Sequence, residues 1–463
     1  MKGLIIKAFY IILTVLLLFA CNNPQTCNID KQPQSADLVD IIKRDTLIAV
    51  ISTNSTDYFV YRGQPMGFHF ELIKLFADNL GLETRVIVEN DIEKSIELIK
   101  SNKADILAQG MTITNLRRTK MSFTVPIAKT RQVLVQQISD TMVNSTLELA
   151  NKTIYLQKGT VFIQRLKHLS EEIAAPINVV EIDSLEVEQI IAKVADGTFN
   201  YTVCDESVAT MNQRYYTNID ASVAISLEQY IAWAVRKSSH NLLDTLNNWL
   251  LDYTKTVSFT HLYNKYYKHP GLFRNVKSDY FSGAKGQISD YDELIKQYSK
   301  SIGWDWRLLA SLIYQESRFN HDAVSWAGAS GIMQIMPATA DMLGLSPDAG
   351  IEAQIEAGTR LIKMIDNRVP SEITDTSTRQ KYILAGYNVG YGHVEDAIRL
   401  AEKYGANPHK WDGNVAEYLI HKSNYEYFTD SVVKFGYCPG IQPVQYVKEI
   451  FDRYEHYKNV IPQ

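Results

Sequence analysis

Cysteine is scarce in this 463-residue chain, and the four present, Cys21, Cys27, Cys204 and Cys438, show no CxxC spacing. That excludes a disulfide scaffold and argues against a thiolate zinc or redox site. Proline (13) and glycine (23) are also few, so collagen-like repeats and low-complexity disorder are excluded. A basic excess is missing: 30 Lys and Arg stand against 29 Asp and Glu up to residue 285, and 17 against 23 after it. Neither part has the electrostatic footprint of a nucleic-acid binder. One long uncharged run exists, Ala8 to Ala20, and its thirteen residues would span about 20 Å as a helix. The hydrocarbon slab is about 30 Å thick, which argues against a permanent span. What is present, 46% apolar and 21% charged residues, is ordinary globular usage. At roughly 100 to 200 residues per domain the length predicts two to four domains.

Lys2 and Lys7 precede the apolar run, which ends in Leu18-Phe19-Ala20-Cys21 and meets Asn22, Asn23 and Pro24 at once. This is the pattern of a secretory signal peptide over residues 1–21. The Leu-x-Ala-Cys ending resembles a bacterial lipobox, which implies lipidation of Cys21 and a membrane anchor; the alternative is a lone cysteine after an ordinary signal. Asn22 is not acidic, which points to the outer membrane. Residues 22–44 are polar with two prolines and read as a tether.

From Asp45 short apolar runs alternate with helical periods. Strands are expected at 46–51, 84–88 and 104–108 and helices at 70–80 and 92–99, a doubly wound α/β lobe. A second lobe follows, with strands at 153–156 and 201–205 and helices at 160–169 and 186–196. Over residues 45–268 the sequence resembles the family-3 extracellular solute-binding proteins. The resemblance rests on Gly67-Phe68 with Glu71-Leu72, Ala104-Asp105-Ile106, and Gly110-Met111-Thr112-Ile113-Thr114-x-x-Arg117 leading to Pro126. It implies an amino-acid-like ligand whose carboxylate meets Arg117 and whose ammonium meets Asp205, with Thr112 beside them and Tyr58 as an aromatic cover. A guanidinium suits the first role, being planar, bidentate and always charged. Other readings remain open: Arg117 on a solvated face with Arg118 and Lys120, Asp205 as a helix cap, Tyr58 as core. The crossings near 130–135 and 222–228 would form a hinge.

Residues 269–285 mix proline and glycine with little periodicity and read as a linker to a last domain, 286–463. There, Asp305 to Tyr314 is apolar nearly all round, a buried helix, and runs straight into Gln315-Glu316-Ser317. Burial and the negative end of the helix dipole both disfavour a charged carboxylate at that place. Glu316 is therefore expected to hold a proton near neutral pH, as a general acid must.

Four ordered motifs surround it: Glu316-Ser317 with Ser325, Gly328-Ala329-Ser330-Gly331-Ile332-Met333-Gln334-Ile335-Met336-Pro337, Ala385-Gly386-Tyr387-Asn388-x-Gly390-x-Gly392, and Pro443-x-x-Tyr446-Val447. Together they resemble the lytic transglycosylase domain, which cleaves peptidoglycan on a mainly α, goose-lysozyme-like fold. The resemblance implies one catalytic acid, Glu316, that protonates the leaving oxygen and then takes a proton from the sugar's own C6 hydroxyl, closing a 1,6-anhydro ring without water. It also implies a sugar groove contacted by Ser317, Ser325, Met333, Gln334, Met336, Tyr387 and Asn388, with Tyr446 holding the catalytic carboxyl. For Met333 and Met336 the other reading is core packing, and for Ser317 a helix end without substrate contact. Asp322 is the acid nearest after Glu316 but need not point back, and ordinary glycosidases need two carboxylates. Two positions depart from the family pattern: Gly386 replaces alanine, which reads as harmless, and Gln442 replaces an acid before Pro443.

The expected architecture is thus multidomain: a two-lobed α/β periplasmic-binding fold followed by a mainly α lysozyme-like domain. Implied partners are peptidoglycan strands, an amino-acid or peptide-like ligand and a membrane reached through a lipid anchor; no cofactor, metal or nucleic acid is expected. Competing readings are a receptor whose last domain only grips peptidoglycan, and a hydrolytic lysozyme.

Overall fold

A computed structural model describes residues 37–214, 216–268 and 287–461. The signal peptide, Cys21, most of the tether and the linker at 269–285 lie outside the described residues. The end of the expected tether does not: Leu38–Arg44 is a helix closed by a capping box on Asp37, with Ile41 fully buried in the first lobe's core. One apolar side chain per turn and an Asp cap hold it there.

The first lobe is a sheet in the order Glu83–Val88, Thr46–Ile51, Ile106–Thr112, Gln229–Val235, Ser122–Phe123. Its first three strands are parallel, and Gln229–Val235 runs antiparallel to Ile106–Thr112. The second lobe's sheet has the order Asn178–Ile182, Thr153–Gln157, Tyr201–Asp205, Gln132–Gln137, Ile219–Asp220. Expected strands and helices recur with shifts of a few residues at their ends. The chain leaves the first lobe between Thr130, which pairs with Gln229, and Gln132, which lies in the second sheet. It returns between Asp220 and Gln229. Both crossings lie side by side, at the positions expected from sequence.

The C-terminal domain is helical and is built round Trp306–Ser317. Asp305 caps that helix by accepting from the Arg307 N–H at 2.9 Å. Leu308, Leu309, Leu312 and Ile313 are fully buried. At about 1.5–3 kcal/mol each, their burial holds the helix firmly and so fixes the origin of any side chain at its end. The helix ends where Arg318 and Phe319 turn into the left-handed region, at φ 52° and 63°.

The last helix, Ile441–Val460, lies along it. Pro443 sits in its first turn, where a missing N–H costs nothing. Tyr446, Ile450, Arg453 and Tyr457 recur at i, i+4, i+7 and i+11 and form one stripe. Against that stripe Ser311 Oγ donates to the Ile450 carbonyl at 2.7 Å, Gln315 Nε2 donates to Glu449 at 2.8 Å, and the Arg453 guanidinium stacks 4.4 Å from the Tyr314 ring centre.

This helix also reaches the first lobe. The Tyr457 hydroxyl donates to the Gly63 carbonyl at 2.7 Å, and Lys448 pairs with Glu83 at 3.1 Å. Gly63 is the tip of the hairpin Phe59–Tyr61/Gln64–Met66, and Val60 of that hairpin belongs to the C-terminal core while Tyr58 and Phe59 belong to the first lobe's.

Candidate active site

Glu316 stands in the last turn of the central helix, half-buried. Tyr446, 6% exposed, donates its hydroxyl to Glu316 Oε1. Burial pushes the Glu316 carboxyl up to about 7, the Tyr446 hydrogen bond opposing it in part. Among the described residues no neighbouring acid adds to these two influences. Burial and the charge of Glu316 hold the Tyr446 phenol far above its ordinary range, so it remains a donor. Asp322 is no second carboxylate: its side chain is 81% exposed and pairs with His321 at 3.3 Å. The geometry therefore presents one carboxyl of raised proton affinity, half-buried and oriented by a phenol.

The loop 323–336 lies beside it. The Ser317 hydroxyl donates to the Ile332 carbonyl at 2.7 Å, so its proton serves the loop rather than the groove. Ser325 Oγ accepts from the Ala329 N–H at 2.9 Å and closes a tight turn. Gln334, at φ 50°, donates from Nε2 to the carbonyls of Ala323 and Gly331, both at 2.8 Å. Met333 does not floor the groove; it is fully buried, with Sδ and Cε packed on Gly358, where a Cβ would come within 2.7 Å of the sulfur. An apolar chain beside a glycine-sized gap in a helix fills the gap. Met336 is 45% exposed and free to face a ligand. Tyr387 brings its hydroxyl to the Met333 carbonyl at 2.8 Å and feels the Glu316 charge, so it borders the same site; Asn388 is half-buried beside it.

Several bracing residues escaped the sequence reading. Gln354 Oε1 accepts from the Ile332 N–H at 2.8 Å and occupies the place a Cβ at Gly331 would take, 2.3 Å away. Gly331 thus permits close approach by Gln354, from inside the protein. Gly386, where the family pattern has alanine, is packed so closely that a methyl there would fall 2.8 Å from the Tyr391 ring. Arg453, Gln315 and Glu449 clasp the two helices that carry Glu316 and Tyr446. Of these, Arg453 belongs to the helical stripe, whereas Gln315 and Glu449 stand outside it.

A second site lies between the lobes, a cavity of about 700 Å³. Arg117, Asp205 and Thr112 all line it. Arg117 Nη1 donates to the Thr112 carbonyl at 3.1 Å, and burial lowers the guanidinium's proton affinity while Asp205 and Glu93 oppose this. Asp205 occupies the N-cap position of Glu206–Asn212 but makes no capping bond. Burial, with the charge of Asp57, pushes its carboxyl up to about 7 against the pull of Arg117. Tyr58 is not part of this cavity. It is fully buried at the domain junction, its hydroxyl 2.8 Å from His456 Nδ1, because an apolar ring with one polar tip suits a packed interface better than an open cleft. Asp57, Gln109 and Glu188 line the cavity as well and were missed, since none lies in a motif.

Comparison with known proteins agrees with this division. Residues 48–269 match the bacterial extracellular solute-binding proteins, family 3, and residues 293–410 match the transglycosylase SLT domain. The chain is 30% identical over 427 residues to membrane-bound lytic murein transglycosylase F of Desulfosudis oleivorans, covering 92% of this chain and 93% of the relative. It is 30% identical over 454 residues to the protein of that name from Shewanella sediminis, covering 97% and 91%. Among solved structures, a mutant of ArgBP from T. maritima aligns at a TM-score of 0.45 and 24% identity, covering 50% of this chain and 99% of that one. With both modules present in order and the likeness running nearly end to end, the chain belongs to the membrane-bound lytic murein transglycosylase F family.

Proposed function

We propose that Glu316 is the sole catalytic group of the lytic transglycosylase, acting on the glycan strands of peptidoglycan. The observation that carries this reading is a half-buried carboxyl, oriented by the Tyr446 hydroxyl and pushed up to about 7 by burial, with no second acid among the described residues acting on it. Neutral Glu316 donates its proton to the glycosidic oxygen as the bond to the muramic-acid C1 breaks, leaving an oxocarbenium-like centre. The resulting carboxylate takes the proton of that sugar's C6 hydroxyl as its oxygen bonds to C1, closing the 1,6-anhydro ring and restoring the neutral acid. Hydrolysis would call for a second carboxylate to place a water or to attack C1. Tyr446 fixes the carboxyl; Ser325, Gln334, Met336, Tyr387 and Asn388 shape the groove, some of them through the loop they brace.

The solute-binding module takes a small amino-acid-like ligand, its carboxylate on Arg117 and its ammonium on Asp205, and adjusts access to the groove. A lipid on Cys21 holds the chain at the membrane, on the periplasmic face of the envelope and at the outer membrane. The deciding experiment is mass spectrometry of walls digested with the parent and with Glu316→Gln. Anhydro ends from the parent and none from the variant support the proposal. Reducing ends would make the enzyme a hydrolase, and undiminished cleavage by the variant would remove Glu316 from the chemistry.

A further inference from the structure

The cavity between the lobes faces more carboxyl groups inward than its one interior arginine balances. Asp57, 5% exposed, enters from the loop after the first strand; Glu188 enters from the first turn of Val187–Ala195; Asp205 ends Tyr201–Asp205. They are close enough that the charge of Asp57 raises the proton affinity of both others. Of the basic residues lining the cavity, Arg117 stands opposite them, whereas Lys158 is 58% exposed and paired with Asp183 at 2.9 Å, and Lys94 is 70% exposed beside Asp91. His69 lies 3.6 Å from Asp57, but burial lowers its proton affinity against the pull of Asp57.

Some of these acceptors are already used. Asp57 Oδ2 accepts from Ser52 Oγ at 2.6 Å and Asn54 Nδ2 at 2.9 Å, and Glu188 Oε1 accepts from the Ser55 N–H at 2.8 Å, a bond that joins the two lobes. Others are not. Asp205 Oδ1 and Gln109 Oε1 are buried without a donor, and Gln109 is only 8% exposed. A buried acceptor left without a donor is unfavourable, so this lining calls for donors and for positive charge.

We propose that the cavity selects a basic diamino acid, one carboxylate against two cationic groups, with the second cation lodged between Asp57 and Glu188 and Gln109 accepting from the ligand. The inference rests on the reading of Arg117 and Asp205 given above. A neutral side chain would leave the Asp57 and Glu188 carboxylates desolvated in the cavity lining without a counter-charge.

Calorimetric titration of the full chain with L-lysine and L-norleucine tests it, since the two differ chiefly by the terminal ammonium. Lysine is expected to bind at least tenfold tighter. Glu188→Gln, checked for an unchanged melting temperature, is expected to erase that preference. Norleucine bound as tightly as lysine by the parent protein overturns this inference and leaves the amino-acid reading standing. Binding of neither overturns both. A lysine preference that survives Glu188→Gln and also Asp57→Asn overturns the placement of the second cation.

Discussion

On the proposed mechanism Glu316 has to be neutral before the reaction and charged in the middle of it. Half-burial satisfies both demands, because desolvation raises the proton affinity while the Tyr446 hydroxyl keeps the carboxylate within reach. Since the folded value of about 7 lies above the ordinary 4.5, the preference for the neutral form stabilises the fold below 4.5 and is lost as pH rises through 7. Glu316→Gln, which retains the acceptor and cannot ionise, is therefore expected to lower kcat by about 10²–10⁴-fold and yet to melt no lower than the parent at pH 8, with that advantage gone near pH 4. Calorimetry across pH checks it; a variant that melts well below the parent at pH 8 would count against burial as the cause. Removing the Tyr446 hydroxyl removes the influence that lowers the carboxyl. In Tyr446→Phe the alkaline fall in kcat is expected at higher pH than in the parent, and a profile displaced to lower pH would contradict the pairing.

Two elements meet at that pair, and each is aligned by contacts remote from it. Trp306–Ser317 is gripped by its own buried leucines, and Ile441–Val460 by Gly440 at its start. A Cβ at Gly440 would fall 1.7 Å from the Leu419 carbonyl oxygen, so no side chain fits without moving backbone. Gly440→Ala is expected to cost roughly 1–3 kcal/mol or more, and to reduce cleavage beyond what the lost stability explains, because Tyr446 is displaced with the helix. Residual activity of the folded variant, measured well below its melting temperature, separates these effects. The loop 323–336 shows the same logic: the side chains of Ser317, Ser325, Gln334 and Gln354 are tied to its backbone, so the loop is held from behind.

In the whole molecule the binding module and the catalytic domain share a buried seam. Gly63 at the hairpin tip, φ 75°, is enclosed so closely that a Cβ would lie 2.6 Å from the Tyr457 hydroxyl and 2.7 Å from the Tyr314 ring. Tyr314 is two residues before Glu316, and Tyr457 is on the helix that carries Tyr446. Beside it, burial pulls His456 down to about 3, so the Tyr58–His456 contact stays uncharged at any pH the envelope meets. Tyr457→Phe leaves the Gly63 carbonyl buried without its donor, at a cost of about 1–3 kcal/mol. Scanning calorimetry should then show the two modules unfolding less cooperatively than in the parent; an unaltered single transition would mean the seam contributes little to their coupling.

Much of this organisation is written locally. Alternation of short apolar runs with helical periods specifies two α/β lobes, an all-round apolar segment specifies the buried helix Trp306–Ser317, and the motif around Glu316 points to the acid proposed above, since each signal lies within a few turns of chain. Packing alone decided the rest. Tyr58 went to the domain seam, Met333 to the core and Ser317 to the loop, because each side chain's partner is distant in sequence, as His456 is from Tyr58. For the same reason Asp57, Glu188 and Gln109 carried no motif: a cavity's charge is the sum of side chains that come together only when two lobes close on each other. Residue types can announce a proton donor, but its affinity for that proton depends on which atoms exclude water from it, and those are chosen by the tertiary fold.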